Sequence, residues 1–149
     1  MSSSSDRLEI EADSASIQTH LSILQNVIQR MASNSSSCKA WCVTLVSAVL
    51  VIIADKGKPQ YAWIAILPTV LFTALDAYYL ALEKGFRASY NQFISRLHGK
   101  SLKEEDLYSV LPLGKMSNLI IEALKSFSVW GFYLSLFILI VITKYIAIG

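Results

Sequence analysis

The sequence predicts an all-α fold: an integral membrane helical bundle of about three transmembrane helices with cytoplasmic helical extensions. Three observations predict it. Apolar residues make up 54% of the 149 residues and charged residues only 16%, against roughly 45–50% and about 25% in soluble domains. The apolar excess is gathered into three blocks, the pattern of segments that must each cross about 30 Å of hydrocarbon. Outside those blocks, apolar residues recur at spacings of three and four, the period of helices that pack on other helices.

Residues 1–7 are rich in serine and are expected to form a flexible tail. No basic start followed by an apolar run opens the chain, as a secretory leader requires, so the N-terminus is expected in the cytoplasm. Residues 8–34 read as a cytoplasmic amphipathic helix. Ile10, Ile17, Leu24 and Met31 repeat every seven residues, and Ser14, Leu21 and Ile28 fill the second heptad position. Ile17, Leu21, Leu24, Ile28 and Met31 thus make a 4-3-4-3 seam that needs a partner helix.

Transmembrane helix 1 is predicted over 35–54. Its apolar block, 41–54, is shorter than the roughly 20 residues a span needs. The span must therefore borrow 35–38, with Lys39 snorkelling toward the headgroups; a re-entrant segment is the alternative. Cys38 and Cys42, four residues apart, read as small packing residues kept reduced. The loop Asp55-Lys56-Gly57-Lys58-Pro59 contains two helix breakers, so its flanking helices form an antiparallel hairpin.

The second block, 61–82, is interrupted only by Asp76. Tyr61 and Trp63 mark one membrane interface, and Tyr78 and Tyr79 the other. The pattern runs on through Gly85: Tyr79, Leu82, Phe86, Tyr90, Phe93 and Leu97 keep the same spacings. Residues 61–98 therefore read as transmembrane helix 2 continuing into a cytoplasmic helix. Its seam of Phe86, Tyr90, Phe93 and Leu97 is the natural partner of the N-terminal one. Residues 99–116 form a linker. Ser101 to Glu104 spells S-x-x-E, a capping box, which predicts a short helix over 102–110 ended by Pro112 and Gly114. Transmembrane helix 3 is predicted over 117–148, starting near Met116, with Lys144 snorkelling at its far end.

Orientation follows from the bases. Residues 83–125 carry seven Lys or Arg, and Arg30 and Lys39 flank the first span; the hairpin loop carries two, and Lys144 lies near the C-terminus. Nine against three predicts the N-terminus in and the C-terminus out. The net charge of +2 is not concentrated in a basic block, so direct nucleic-acid binding is not expected.

Few residues offer chemistry. Gly99-Lys100-Ser101 resembles the end of a P-loop, but the glycine needed five residues earlier is Ile94. His20 and His98 lie on separate segments without a ligand cluster and read as solvated or helix-end residues, so no metal or cofactor is expected. No nucleophile–base arrangement is visible, and an enzyme is not expected. Asp76 stands out because an ionisable group within a span is costly. Thr69, Thr73 and Asp76 share a helix face. That face either lines an aqueous path or anchors helix packing through Asp76. Pro68 should kink the span, as a static bend or as a hinge. Ser128, Gly131 and Ser135 form a small-residue stripe suited to close helix contact.

The stretch LDAYYLALEKGFRASYNQF (75–93) resembles the signature of small bacterial membrane proteins of the SLATT type. An acidic residue and tyrosines close a span, and charged residues and an aromatic follow at helical spacing. SFSVWGFYLSLFILI (126–140) is similar to the last span of some of these proteins. The matching positions are Asp76, Tyr79, Glu83, Phe86, Arg87 and Tyr90. Many members have two spans plus a cytoplasmic helix, so the third apolar block departs from that plan. The resemblance implies a pore-forming or membrane-perturbing effector of bacterial antiphage defence, paired with a soluble sensor or signalling protein. The expectation is thus an oligomer in the bacterial inner membrane that opens a path through the bilayer. The alternative is a non-conducting anchor that recruits a soluble partner. A transporter is weaker, because no inverted repeat appears.

Overall fold

A computed structural model describes residues 14–146. The predicted tail and the start of the amphipathic helix, including Ile10, lie outside the described residues. Helix α1 spans Ala15–Asp55 and is followed by a 3₁₀ segment, Pro59–Ala65, and helix α2, Ile66–His98. A 3₁₀ turn at Glu104–Asp106 precedes α3, Met116–Leu124, and α4, Phe127–Ile146.

Neither glycine nor proline falls between Ala15 and Asp55, so nothing interrupts α1. Its 41 residues rise about 61 Å, at about 1.5 Å each, twice the hydrocarbon thickness. The predicted amphipathic helix and first span are therefore one rod. One stripe of that rod is buried from end to end: Ile17, His20, Leu24, Met31, Ser35, Cys38, Cys42, Val46, Leu50 and Ile53. The rod stops at the hairpin loop, where Gly57 adopts φ +59 and its N–H bonds Ala54 O at 3.1 Å.

α2 returns antiparallel to α1, and the pair divides into two halves. In the apolar half, Cys42, Val46, Leu50, Ala62 and Ala65 pack with Val129, Tyr133, Leu136 and Ile140 of α4. The small residues among them let backbones approach closely, which matters where burial from lipid supplies little driving force. Outward faces carry exposed Trp41, Val51, Leu67, Val70, Leu134 and Ile138, a surface suited to lipid. Three helices are long and apolar enough to cross a membrane: Ala15–Asp55, Gln60–His98 and Phe127–Tyr145.

The other half is a stalk in which Leu24, Met31 and Phe86 form the core, flanked by Val27, Ile28, Tyr79, Leu82 and Tyr90. Burying each large apolar side chain here stabilises by roughly 1.5–3 kcal/mol. Of the two expected seams, Ile17, Leu24, Phe86 and Phe93 are buried, while Leu21, Ile28, Tyr90 and Leu97 are half-buried. Beside the stalk, Ala77 and Ala81 of α2 receive Ala123, Leu119 and Met116 of α3.

Four expectations need correction. Pro68 is not mid-helix: it is the third residue of α2, in the first turn, where a missing N–H costs little. The change of winding comes before it, at the 3₁₀ segment. The linker forms no helix over 102–110, only the three-residue turn at Glu104–Asp106. Helix 3 is broken at Lys125–Ser126, where Ser126 O accepts the N–H groups of Val129 and Trp130 and starts α4 afresh. Lys39, expected to snorkel, turns inward.

Candidate functional site

Ser35 and Lys39 lie one turn apart on α1 and face Asp76 of α2. Asp76 is fully buried. Ser35 Oγ donates to Asp76 Oδ1. The Lys39 ammonium sits 2.6 Å from Asp76 Oδ2 and donates to Ser35 Oγ at 3.3 Å. The three groups therefore form a closed polar triad inside the α1–α2 interface. Oδ2 makes no well-aligned hydrogen bond; the close ammonium meets its charge instead. Only Lys39, with a fifth of its side chain accessible, touches the surroundings. A buried carboxylate without such a countercharge would cost several kcal/mol.

The other polar groups on this face are turned back on the backbone. The Thr69 hydroxyl donates to Ala65 O at 2.8 Å, and that of Thr73 to Thr69 O at 2.6 Å. α4 joins through Tyr133, buried, whose hydroxyl donates to Phe72 O at 3.1 Å. Three helices thus converge on one turn of α2. Ser35 is close to an amine, but that amine is paired with a carboxylate and both are packed between helices. The arrangement equips Ser35 as a clamp and gives it no free base.

Sequence reasoning singled out Asp76 and missed its partners. The signal for Ser35 and Cys38 was their place on the seam continued from Leu24 and Met31 by threes and fours. The stripe of Ser128, Gly131 and Ser135 does not make the intramolecular contact. Ser128 and Ser135 are exposed and Gly131 is half-buried, because Val129, Tyr133, Leu136 and Ile140 occupy the inward face. Among positions carrying the SLATT-type resemblance, Glu83 and Arg87 pair at 2.8 Å, and Tyr90 OH accepts from Gln25 Nε2 at 3.2 Å.

A second polar cluster ties the linker to the stalk. His20 is buried at 1% exposure, not solvated as expected. Its ring lies 4.3 Å from that of Phe93, and its Nδ1 accepts the Tyr108 N–H at 2.9 Å. Tyr108 holds an unusual φ of +64. Arg96 pairs with Asp106 at 2.6 Å, and Asp106 also accepts the Lys103 N–H at 3.1 Å. Burial pushes the His20 pKa below its ordinary value; the Asp106 carboxylate pulls it upward and is the weaker cause. Farther along, the Leu113 N–H donates to Gly85 O at 3.0 Å, and Ser89 Oγ donates to Leu111 O at 2.5 Å. The linker is thus a strap laid over the stalk.

At the hairpin end, Lys144 Nζ lies 4.4 Å from the centre of the Trp63 ring, a cation–π contact that ties α4 to the 3₁₀ segment. No group of three metal-ligating side chains occurs among the described residues. Comparison with known proteins gives no matching family model, no matching curated sequence and no matching solved structure.

Proposed function

We propose that this chain is a cell-membrane anchor: three spans hold a cytoplasmic helical stalk in fixed register for a soluble partner, with the N-terminus inside and the C-terminus outside. The closed Ser35–Lys39–Asp76 triad carries this reading. The charge that would have lined an aqueous path is bonded shut between α1 and α2, and the neighbouring threonine hydroxyls bond their own helix. The nine bases at the stalk end against three at the other support the orientation.

Expression in bacteria, with membrane potential followed by a potential-sensitive dye, tests the reading. An anchor leaves the potential unchanged at levels where the protein is inserted. Dissipation that depends on Asp76 would overturn it and favour a second reading, an oligomeric pore-forming effector of antiphage defence in the bacterial inner membrane. One observation favours that alternative beyond the SLATT-type resemblance: Ser128, Gly131 and Ser135 face away from the chain's own core, where another copy could approach closely.

A further inference from the structure

From the geometry of α3 we infer a binding site for anionic phospholipid headgroups, formed by Lys84, Lys115 and Lys125 with the uncovered apolar flank of α3. The inference rests on reading the three apolar helices as spans.

α3 has more apolar surface than the protein covers. At about 100° per residue, Met116, Leu119, Ile120 and Ala123 fall on one side, and that side packs on Ala77 and Ala81. Leu124 and Ile121 extend the apolar arc along one flank, with the small Ser117 between them. Leu124 and Ile121 remain 43% and 51% exposed. Lys125, Asn118 and Glu122 occupy what is left of the circumference. A helix with one flank on protein, one uncovered and apolar, and a narrow charged face is built for the boundary between acyl chains and headgroups.

Its position in the chain puts it there. The apolar stretch Phe127–Tyr145 has 19 residues and rises about 28 Å, one hydrocarbon thickness. Two residues separate the end of α3 from that stretch, so its C-terminal end meets the adjoining headgroup layer. Phe127 and Trp130, at the start of α4, are exposed as well, at 75% and 49%.

The lysines stand at the two ends of this flank: Lys115 at the start of α3, and Lys125 at its finish with Lys84 beside it. Lys115 precedes the first turn of α3 and Lys125 follows its last, both exposed. Lys84 reaches across from α2 to donate to Glu122 O at 3.3 Å, at the helix end where the backbone dipole favours a cation. No carboxylate among the described residues forms an ion pair with any of the three. Three ammoniums against the single carboxylate of Glu122, beside an apolar flank, match a phosphate on an acyl chain. A soluble phosphate would leave the flank uncovered, and a second copy of this chain would bring the same positive charges.

The test uses the full chain in two kinds of nanodisc, one of phosphatidylcholine alone and one also containing phosphatidylglycerol. Phosphatidylglycerol should slow backbone hydrogen exchange over 116–124, and purified protein should retain this lipid in native mass spectrometry. Lys84→Gln, Lys115→Gln and Lys125→Gln together should weaken retention by about a hundredfold, as expected for three juxtamembrane bases. The matching triple Arg variant should keep it, which separates loss of charge from loss of fold. Equal exchange in both nanodiscs, or equal retention by the Gln variant, overturns the site. So does competition by inorganic phosphate that matches phosphatidylglycerol, or protection that appears only in discs holding two chains. Failure of the chain to enter either nanodisc would instead overturn the three-span reading itself.

Discussion

At the scale of single residues, the Asp76 carboxylate and the His20 ring are both buried polar groups, and each depends on one neighbour. Lys39→Met should leave Asp76 buried and unpaired, lowering stability by about 3–5 kcal/mol. Adding Asp76→Leu should restore most of the loss, since replacing both ions by apolar groups is often neutral. Thermal unfolding in detergent checks this, and equal melting of the single and double variants would contradict it. His20 predicts a pH response. Its folded pKa is lowered, so the unfolded state binds more protons in the window just below the ordinary value. The contribution is complete above about 6.5 and is lost as pH falls through the lowered folded value. Protonation also puts a donor at Nδ1 against the Tyr108 N–H. Acidification below about pH 6.5 should therefore release the strap, read as faster proteolysis near residues 103–110, and His20→Gln should flatten that response. Asp76 was legible because an ionisable residue inside an apolar run has few explanations. Its partnership with Lys39 was not, because a lysine one turn inside a span can point either way, and only the register of α1 against α2 decides. His20 was misread for a related reason: one histidine looks solvated until its place between Ile17 and Leu24 on the seam is weighed.

Among the elements, long helices followed directly from periodicity, and errors gathered where side chains compete for backbone groups. The capping box at Ser101 fails because Ser101 Oγ bonds back to Arg96 O at 3.4 Å, while Asp106 takes the Lys103 N–H. No local pattern reports that Arg96, on the preceding helix, fixes Asp106. Gly85 has a similar history. Read locally, it is a tolerated defect worth about 1 kcal/mol. In the folded chain, a Cβ there would lie 2.7 Å from Pro112 Cβ and 3.1 Å from Leu119 Cδ1. The proline ring cannot swing away as a long side chain would. Gly85→Ala should thus improve the helix and still displace the strap, losing the Leu113–Gly85 bond. Hydrogen exchange at the Leu113 amide should accelerate while total helicity holds. An unchanged amide would mean that the strap adjusts without cost.

For the whole molecule, the two halves are held by different physics, and a mutation should separate them. The stalk relies on apolar burial from water, whereas the spans rely on packing within lipid. Leu24→Lys with Phe93→Lys places two charges in the stalk, next to the Phe86 cluster and the His20 ring. The expected result is a stalk open to protease and spans that remain inserted, measured as a protected membrane fragment after digestion. Loss of insertion would mean that the halves fold as one unit. Because α1 contains no flexible joint, it also behaves as a shaft. A turn of about 100°, one residue's worth of helix, applied at its Ser14 end would carry Lys39 off Asp76 at the far side of the stalk. Torque on the stalk and loss of a buried carboxylate's counterion are thereby the same coordinate, read from opposite ends.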